Sequence, residues 1–394
     1  MALKMWRLAQ LRAGDRFDVV GPATGGADGP VRARLLAARA QARRRRGDIA
    51  AARDDLRAAA AGYPGGSARA GVLAQLAALD SGADDMRRAA EVAELALIEA
   101  GGDDQARASV LEVASVIDMN LDHPERSAAR AAEALAIYTR TGDSRGAARI
   151  LDARAMAAFL HGSIEEGVDE LDRAAHLFES SGDLMRTVTP RSTCGHGRVL
   201  LDRAAQGLAD TERALDVART LGHPDGQTYA LWHRSEALSA LGRPDDALAD
   251  GRAALAIAQR LNHRGWTATA WRAIGIACQN KGDLPAALDA FHRSLELSTN
   301  LDLFGCWAAA RAALTCIDLN RLAEAERLIA RALASGPALG RQEARWAAAA
   351  LSVAQRDPSA AAVLGTAFEA ASAAGARLYL PYLTELRHRL ETAG

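Results

Sequence analysis

The turn Gly282-Asp283 returns along the chain at a nearly fixed interval. Counterparts begin near Gly47, Gly82, Asp122, Gly162, Asp202, Gly242 and Asn320; from Gly82 to Gly282 each lies 40 residues beyond the last, and a weaker one falls near Asp357. A second series, Gly142, Gly182, Gly222, Asn262 and Asp302, keeps the same spacing. Gly and Asn tolerate the left-handed backbone that closes a helix. Two such marks per period bound two helices. A helix-turn-helix unit repeated at this length stacks into a solenoid.

Small side chains hold the same phase. Ala287, Ala247, Gly207, Gly167 and Ser127 each sit five residues after a turn. Ala313, Gly275, Ser235, Gly195, Ala155 and Ser115 come about seven residues before one. Close helix crossing needs small residues at such places, while Leu295, Leu255, Leu215 and Leu135 repeat a large apolar residue. Composition agrees: 49% of residues are hydrophobic but only 4% aromatic, and alanine dominates. That excludes a disordered chain, and Val and Ile cluster too rarely for period-two strands.

The unit from Trp271 carries Trp271, Ile274, Gly275, Cys278, Ala287, Phe291 and Ser294 at a signature spacing. In this it resembles the tetratricopeptide repeat family, with Cys278 for the usual tyrosine and Ser294 for the usual alanine. The resemblance runs from about Val31 to the C-terminus and is best between Asp122 and Leu333. The best-known repeat of the family is 34 residues. The extra residues fall in joints such as "RTGDSRG" (140–146), "TLGHPDG" (220–226) and "RLNHRG" (260–265). Repeats of this longer kind are similar to the sensor arrays of bacterial ATP-dependent transcription regulators and STAND-type ATPases. The ending "GARLYLPYLTELRHRL" (375–390) looks like their terminal repeats. The reading is therefore all-α: a right-handed α-solenoid of about nine helix-turn-helix repeats. Residues 1–30 are expected to be a cap helix and a Gly/Pro-rich linker, 31–377 the solenoid, and 378–394 a capping helix.

The formal net charge of -1 gives no basic field for nucleic acid or an anionic membrane. Lys4 and Lys281 are the only lysines and neither sits in a Walker A loop. Cys194, Cys278, Cys306 and Cys316 form no CxxC pair and read as reduced core thiols. No apolar run reaches the length of a membrane helix, so a cytoplasmic protein is the expectation. No cofactor, metal or catalytic set is expected.

By the same resemblance, successive first helices line a concave wall. Steps of three and four put Thr269, Arg272, Ile276, Gln279 and Asn280 on one stripe. The preceding unit contributes Tyr229, Trp232, Glu236, Ser239 and Ala240, and the one before it Thr189, Ser192, His196, Val199 and Leu200. Thr189 either lines the wall or caps a helix, because Pro190 follows it. On the other side come Trp307, Ala310, Leu314, Ile317 and Asp318. Aromatics beside Arg are the composition of recognition anchors. The candidate site is thus Tyr229, Trp232, Glu236, Arg272, Gln279, Asn280, His196 and Trp307, taking a protein or peptide partner or a small regulatory ligand. The competing reading makes Trp232 and Trp307 packing residues; Trp271 is expected to be structural.

His196 and Glu236 occupy equivalent places and are expected to meet as a polar pair. Cys194 and His196 point to different sides of a helix, which speaks against a nucleophile-base pair. "RRRR" (43–46) reads as a solvated helix end complementing the dipole. Two functional classes follow: a stand-alone interaction scaffold, or the sensing region of a larger regulator.

Overall fold

A computed structural model describes residues 29–45, 48–82, 86–121, 123–161, 163–299, 301–334 and 336–393. The cap and linker expected over residues 1–28 lie outside these, as do Arg46, Gly47, Asp122 and Gly162. The described residues form nineteen α-helices. They are α1 (Gly29–Arg45), α2 (Ile49–Ala61), α3 (Ser67–Gly82), α4 (Met86–Ala100), α5 (Asp104–Asn120), α6 (Pro124–Thr141) and α7 (Ser144–His161). Then come α8 (Ile164–Ser180), α9 (Leu184–Leu200), α10 (Ala204–Thr220), α11 (Pro224–Ala240), α12 (Pro244–Arg260) and α13 (Arg264–Asn280). The rest are α14 (Leu284–Leu297), α15 (Asp302–Asp318), α16 (Leu322–Ala334), α17 (Gly340–Ala354), α18 (Ala360–Ala374), a 3-10 turn (Arg377–Tyr379) and α19 (Leu380–Ala393). Nine helix pairs and a final helix result, an all-α solenoid architecture. Two compact units divide at Arg154/Ala155, inside α7.

The turns are built as their residues demand. Gly282 has φ 78°, and its amide donates to Gln279 O while the Asp283 amide donates to Cys278 O. This double closure uses the orphan carbonyls of the helix end. Asp283 then accepts from the Ala286 amide at 3.2 Å and starts α14. Asp202, Asn262 and Asn320 take the same left-handed role without being glycine, at φ 60°, 50° and 56°. Three marks fall elsewhere. Gly82 is the last residue of α3, Asp302 opens α15, and at the ninth turn the left-handed residue is Arg356, not Asp357. Gly29 and Pro30 already belong to α1. Pro190 lies inside α9, which begins at Leu184, so Thr189 is no cap. There the Ser192 and Thr193 hydroxyls donate to Val188 O and Thr189 O, taking up helix carbonyls.

The small positions explain the close packing of each pair. A residue near the middle of the first helix meets one twelve later, in the second. In the unit ending at Arg154, the Ser127 hydroxyl donates to Ser115 O at 2.7 Å. Its core is mainly Ala and Leu, including Ala52, Leu56, Leu73 and Leu76, with Val72 and Val110 among them. At the arginine run, Arg43 pairs with the buried Asp55 at 2.8 Å, as does Arg39. In the unit beginning at Ala155, the Ser235 hydroxyl donates to Ala247 O at 2.7 Å. Gly195 and Gly207 approach so closely that a methyl added at Gly207 would lie 2.5 Å from Gly195 O. At Gly275 the neighbour is instead the Phe291 ring. Gly207→Ala is therefore expected to cost about 1–3 kcal/mol, since backbone must move. Gly71→Ala, in α3 with nothing near, should be neutral or stabilising. Urea unfolding of both variants checks the contrast.

First helices in this unit are buried nearly all round. In α9, residues 190–197 are all buried. Second helices show one buried stripe, as Ile164, Val168, Leu171, Ala175 and Phe178 do in α8. The ends of the unit also meet. The Leu339 amide donates to Leu160 O at 3.1 Å, and Arg377 lies 3.5 Å from Glu165. The last repeats thus return onto the first helices of the same unit.

Candidate functional site

Helices α9, α11, α13, α15 and α17 project polar and aromatic side chains into the middle of the unit that starts at Ala155. The His196 Nδ1 atom lies 2.9 Å from Glu236 Oε2, the polar pair that equivalent positions predict. Arg272 donates through Nη1 to Glu236 and through Nη2 to Glu343 Oε2, the latter at 2.9 Å. Arg311 Nε donates to the other Glu343 oxygen at 2.7 Å. His196, Glu236, Arg272, Glu343 and Arg311 form one continuous chain of charge-assisted contacts.

Aromatic rings wall this chain. The Arg272 guanidinium lies 4.9 Å from the Trp307 ring centre, and that of Arg311 lies 5.3 Å from Trp346. Such faces attract cations. His196 sits 5.5 Å from Trp307, 5.9 Å from Trp232 and 5.0 Å from His233, centre to centre. Tyr229 stands edge-on to His233 and shares a 3.0 Å hydrogen bond with Thr193.

Burial sets the electrostatics. Desolvation pushes the Glu236 carboxyl up, but Arg272 and His196 outweigh it and hold it at about 2. At Glu343 burial also pushes upward, and Arg272 with Arg311 bring the net shift down. His233 is driven well below its ordinary value by burial, helped by His196. Burial carries the Tyr379 hydroxyl well above the usual phenol range. Several polar atoms here meet no hydrogen-bond partner: Trp232 Nε1, His196 Nε2, Arg272 Nε and both ring nitrogens of His233.

Six of the eight sequence-selected residues converge. His196, Trp232, Glu236, Arg272 and Trp307 are buried, and Tyr229 is half-buried beside them. Trp232 is only 2% exposed and Arg272 3%, so these side chains fill the centre of the unit instead of facing an open groove. Gln279 and Asn280 lie further along α13, where Asn280 donates to Ser239 O at 3.0 Å. Trp271 is half-buried away from this cluster, under the Arg293 guanidinium. Cys194 Sγ points to Val168 O, away from the His196 network, and all four thiols are buried and free.

Sequence reasoning missed His233, Arg311, Glu343 and Tyr379. His233 and Arg311 each neighbour a stripe by one helical step. Glu343 had only a weak signal, a carboxylate in an alanine-rich stretch whose period no longer matches the earlier repeats. Among the described residues no group of three metal-ligating side chains occurs, and no helix is long and apolar enough to cross a membrane.

A family model described as tetratricopeptide repeat matches residues 226–300. No curated protein matches the sequence. Among solved structures, the chain is similar to a Rap protein complexed with competence and sporulation factor. That match has TM-score 0.58 and 12% identity, covering 83% of this chain and 99% of that one. It is similar to NprR in complex with its cognate peptide NprX, at TM-score 0.58 and 15% identity over 75% and 87%. A third is a STAND signal-transduction ATPase with a tetratricopeptide repeat sensor from Pyrococcus horikoshii. There the TM-score is 0.56 and the identity 10%, over 72% of this chain and 44% of that chain. These likenesses establish a shared fold. Residues 226–300, spanning α11 to α14, thus carry tetratricopeptide repeats, set within helix pairs of the same fold.

Proposed function

We propose that the chain binds a peptide, free or as a segment of a partner protein, on the stacked first helices α9 to α15. The observation that carries this reading is the convergence of Tyr229, Trp232, Trp307, His196 and Arg272 on that wall. Aromatic residues make up only 4% of the chain, and two of its six tryptophans meet there beside a tyrosine. Aromatic anchors with an arginine supply large contact area and directional charge. Two proteins of the same fold, Rap and NprR, are seen with a bound factor or peptide. Buried anchors mean that binding requires the repeats to open, and neighbour-only contacts in a solenoid make such opening accessible.

The purified chain, incubated with the low-mass peptide fraction of its native host, should retain a small set of sequences. Tyr229 is the half-exposed entry to the cluster. Tyr229→Ala, with helicity unchanged, should cut their retention about tenfold. Retention indifferent to Tyr229→Ala, or no retained peptide, would count against the reading; a retained non-peptide compound would redirect it to a small ligand.

A second reading is favoured by the STAND neighbour, whose repeats are a sensor and of whose length this chain matches 44%. Here the same wall senses a ligand for an ATPase module elsewhere in a longer protein. Immunodetection of the native protein decides: a species much longer than 394 residues supports it.

A further inference from the structure

We propose that Glu343 is an internal latch, whose carboxylate occupies the seat between Arg272 and Arg311 that a carboxylate of the bound peptide takes. This rests on the peptide-binding reading. The seat is built independently of its occupant. Arg272 lies on Trp307 and Arg311 on Trp346, so both guanidiniums are oriented by indole faces. Glu343 reaches them from α17, 71 residues beyond Arg272 and past the intervening pair α15–α16. Each of its oxygens meets a different arginine. A carboxylate delivered by a ligand satisfies the same two cations with the same geometry.

Charge argues for an anionic occupant. With Glu343 seated, two carboxylates face two guanidiniums; withdrawing it leaves Arg272 and Arg311 against Glu236 alone. A buried uncompensated cation is costly, so the seat stays empty only when an anion replaces Glu343. Donors remain for a larger ligand. Arg272 Nε and Trp232 Nε1 are buried and unpartnered within the same cluster. The element bearing Glu343 is also the one that shuts the unit, through the Leu339 to Leu160 hydrogen bond just before α17. Displacing the carboxylate and releasing α17 are therefore one movement.

The test compares the parent chain with Glu343→Gln, which keeps the shape without the charge, and Glu343→Ala, which empties the seat. Three probes are titrated against tryptophan fluorescence: N-acetyl-alanyl-alanine for a terminal carboxylate, N-acetyl-glutamate amide for a side-chain carboxylate, and N-acetyl-alanyl-alaninamide as the uncharged control. The variants are expected to bind at least one acid about tenfold or more tighter than the parent, and the amide no tighter. Acetate should raise the melting temperature of Glu343→Ala more than chloride at equal ionic strength. Equal affinities in parent and variants, or equal binding of acid and amide, would overturn the latch. So would failure of Glu343→Gln to fold, because a latch must be dispensable to the fold. Host peptides retained by the parent with no effect of Glu343 would remove the latch alone. Acid binding by the variants with no peptide retained by any form would remove the peptide reading and leave a small-carboxylate seat.

Discussion

Arg272→Ala lowers the unfolding free energy of the unit that begins at Ala155 by about 3–5 kcal/mol, the loss characteristic of breaking a buried ion pair from one side. The side chain is 3% exposed and holds Glu236 and Glu343 together. Its removal leaves Glu236 with His196 and Glu343 with Arg311, each carboxylate one cation short, and uncovers the Trp307 face. Five of the six tryptophans, Trp232, Trp266, Trp271, Trp307 and Trp346, lie in this unit, so fluorescence-monitored urea unfolding reads it directly. The double variant Arg272→Met with Glu236→Leu removes the inner pair together and should recover part of the loss, since an apolar replacement avoids the desolvation penalty. A change below about 1 kcal/mol for Arg272→Ala would show that the network contributes little.

The second large effect is on acidification. His233 has its folded-state value well below 6.5, first because it is buried and then because His196 and Arg272 lie near, while Glu236 pulls the other way. Tyr229 and Trp232 complete its surroundings, with Glu343 and Tyr379 farther along the same network. The folded state thus binds fewer protons than the unfolded chain below pH 6.5. Stability is complete above that value and falls as the pH drops, by about 1.4 kcal/mol per pH unit for one proton, until the folded value is reached. His223, also lowered by burial, adds in the same direction. Glu236 acts later. Its value of about 2 means a contribution present above 4.5 and lost as pH falls toward 2, roughly 3 kcal/mol in all. Urea midpoints between pH 7.5 and 5 should decline, and His233→Phe should flatten the decline. An unchanged slope in that variant would locate the sensitivity elsewhere. If the peptide binds an opened form, the same protons should favour opening.

Particular residues mark how far the sequence reached. The turn residues Gly142, Gly182, Asp202, Gly222, Gly242, Asn262, Gly282 and Asn320, and the pairs Ser115/Ser127, Gly195/Gly207 and Ser235/Ala247, were legible because they are nearest-neighbour features. A repeat that packs only on the next one must restate the same small side chain at the same phase. The pairing of His196 with Glu236 followed for the same reason, one repeat apart on one stripe. The break at Asp302, the helix running through Pro190 and the seat of Glu343 were not legible. The first two are local choices that neighbouring packing overrides.

The sequence by itself determined the helix pairs, their contact positions and the stripe that carries the aromatic and charged residues. Only the tertiary structure decided that the stripe is buried and that Glu343 joins Arg272 to Arg311 there. In a solenoid curvature accumulates from small rotations between repeats, and no single repeat encodes the sum. Where the last helices land after several such steps sets whether a carboxylate 71 residues away meets Arg272.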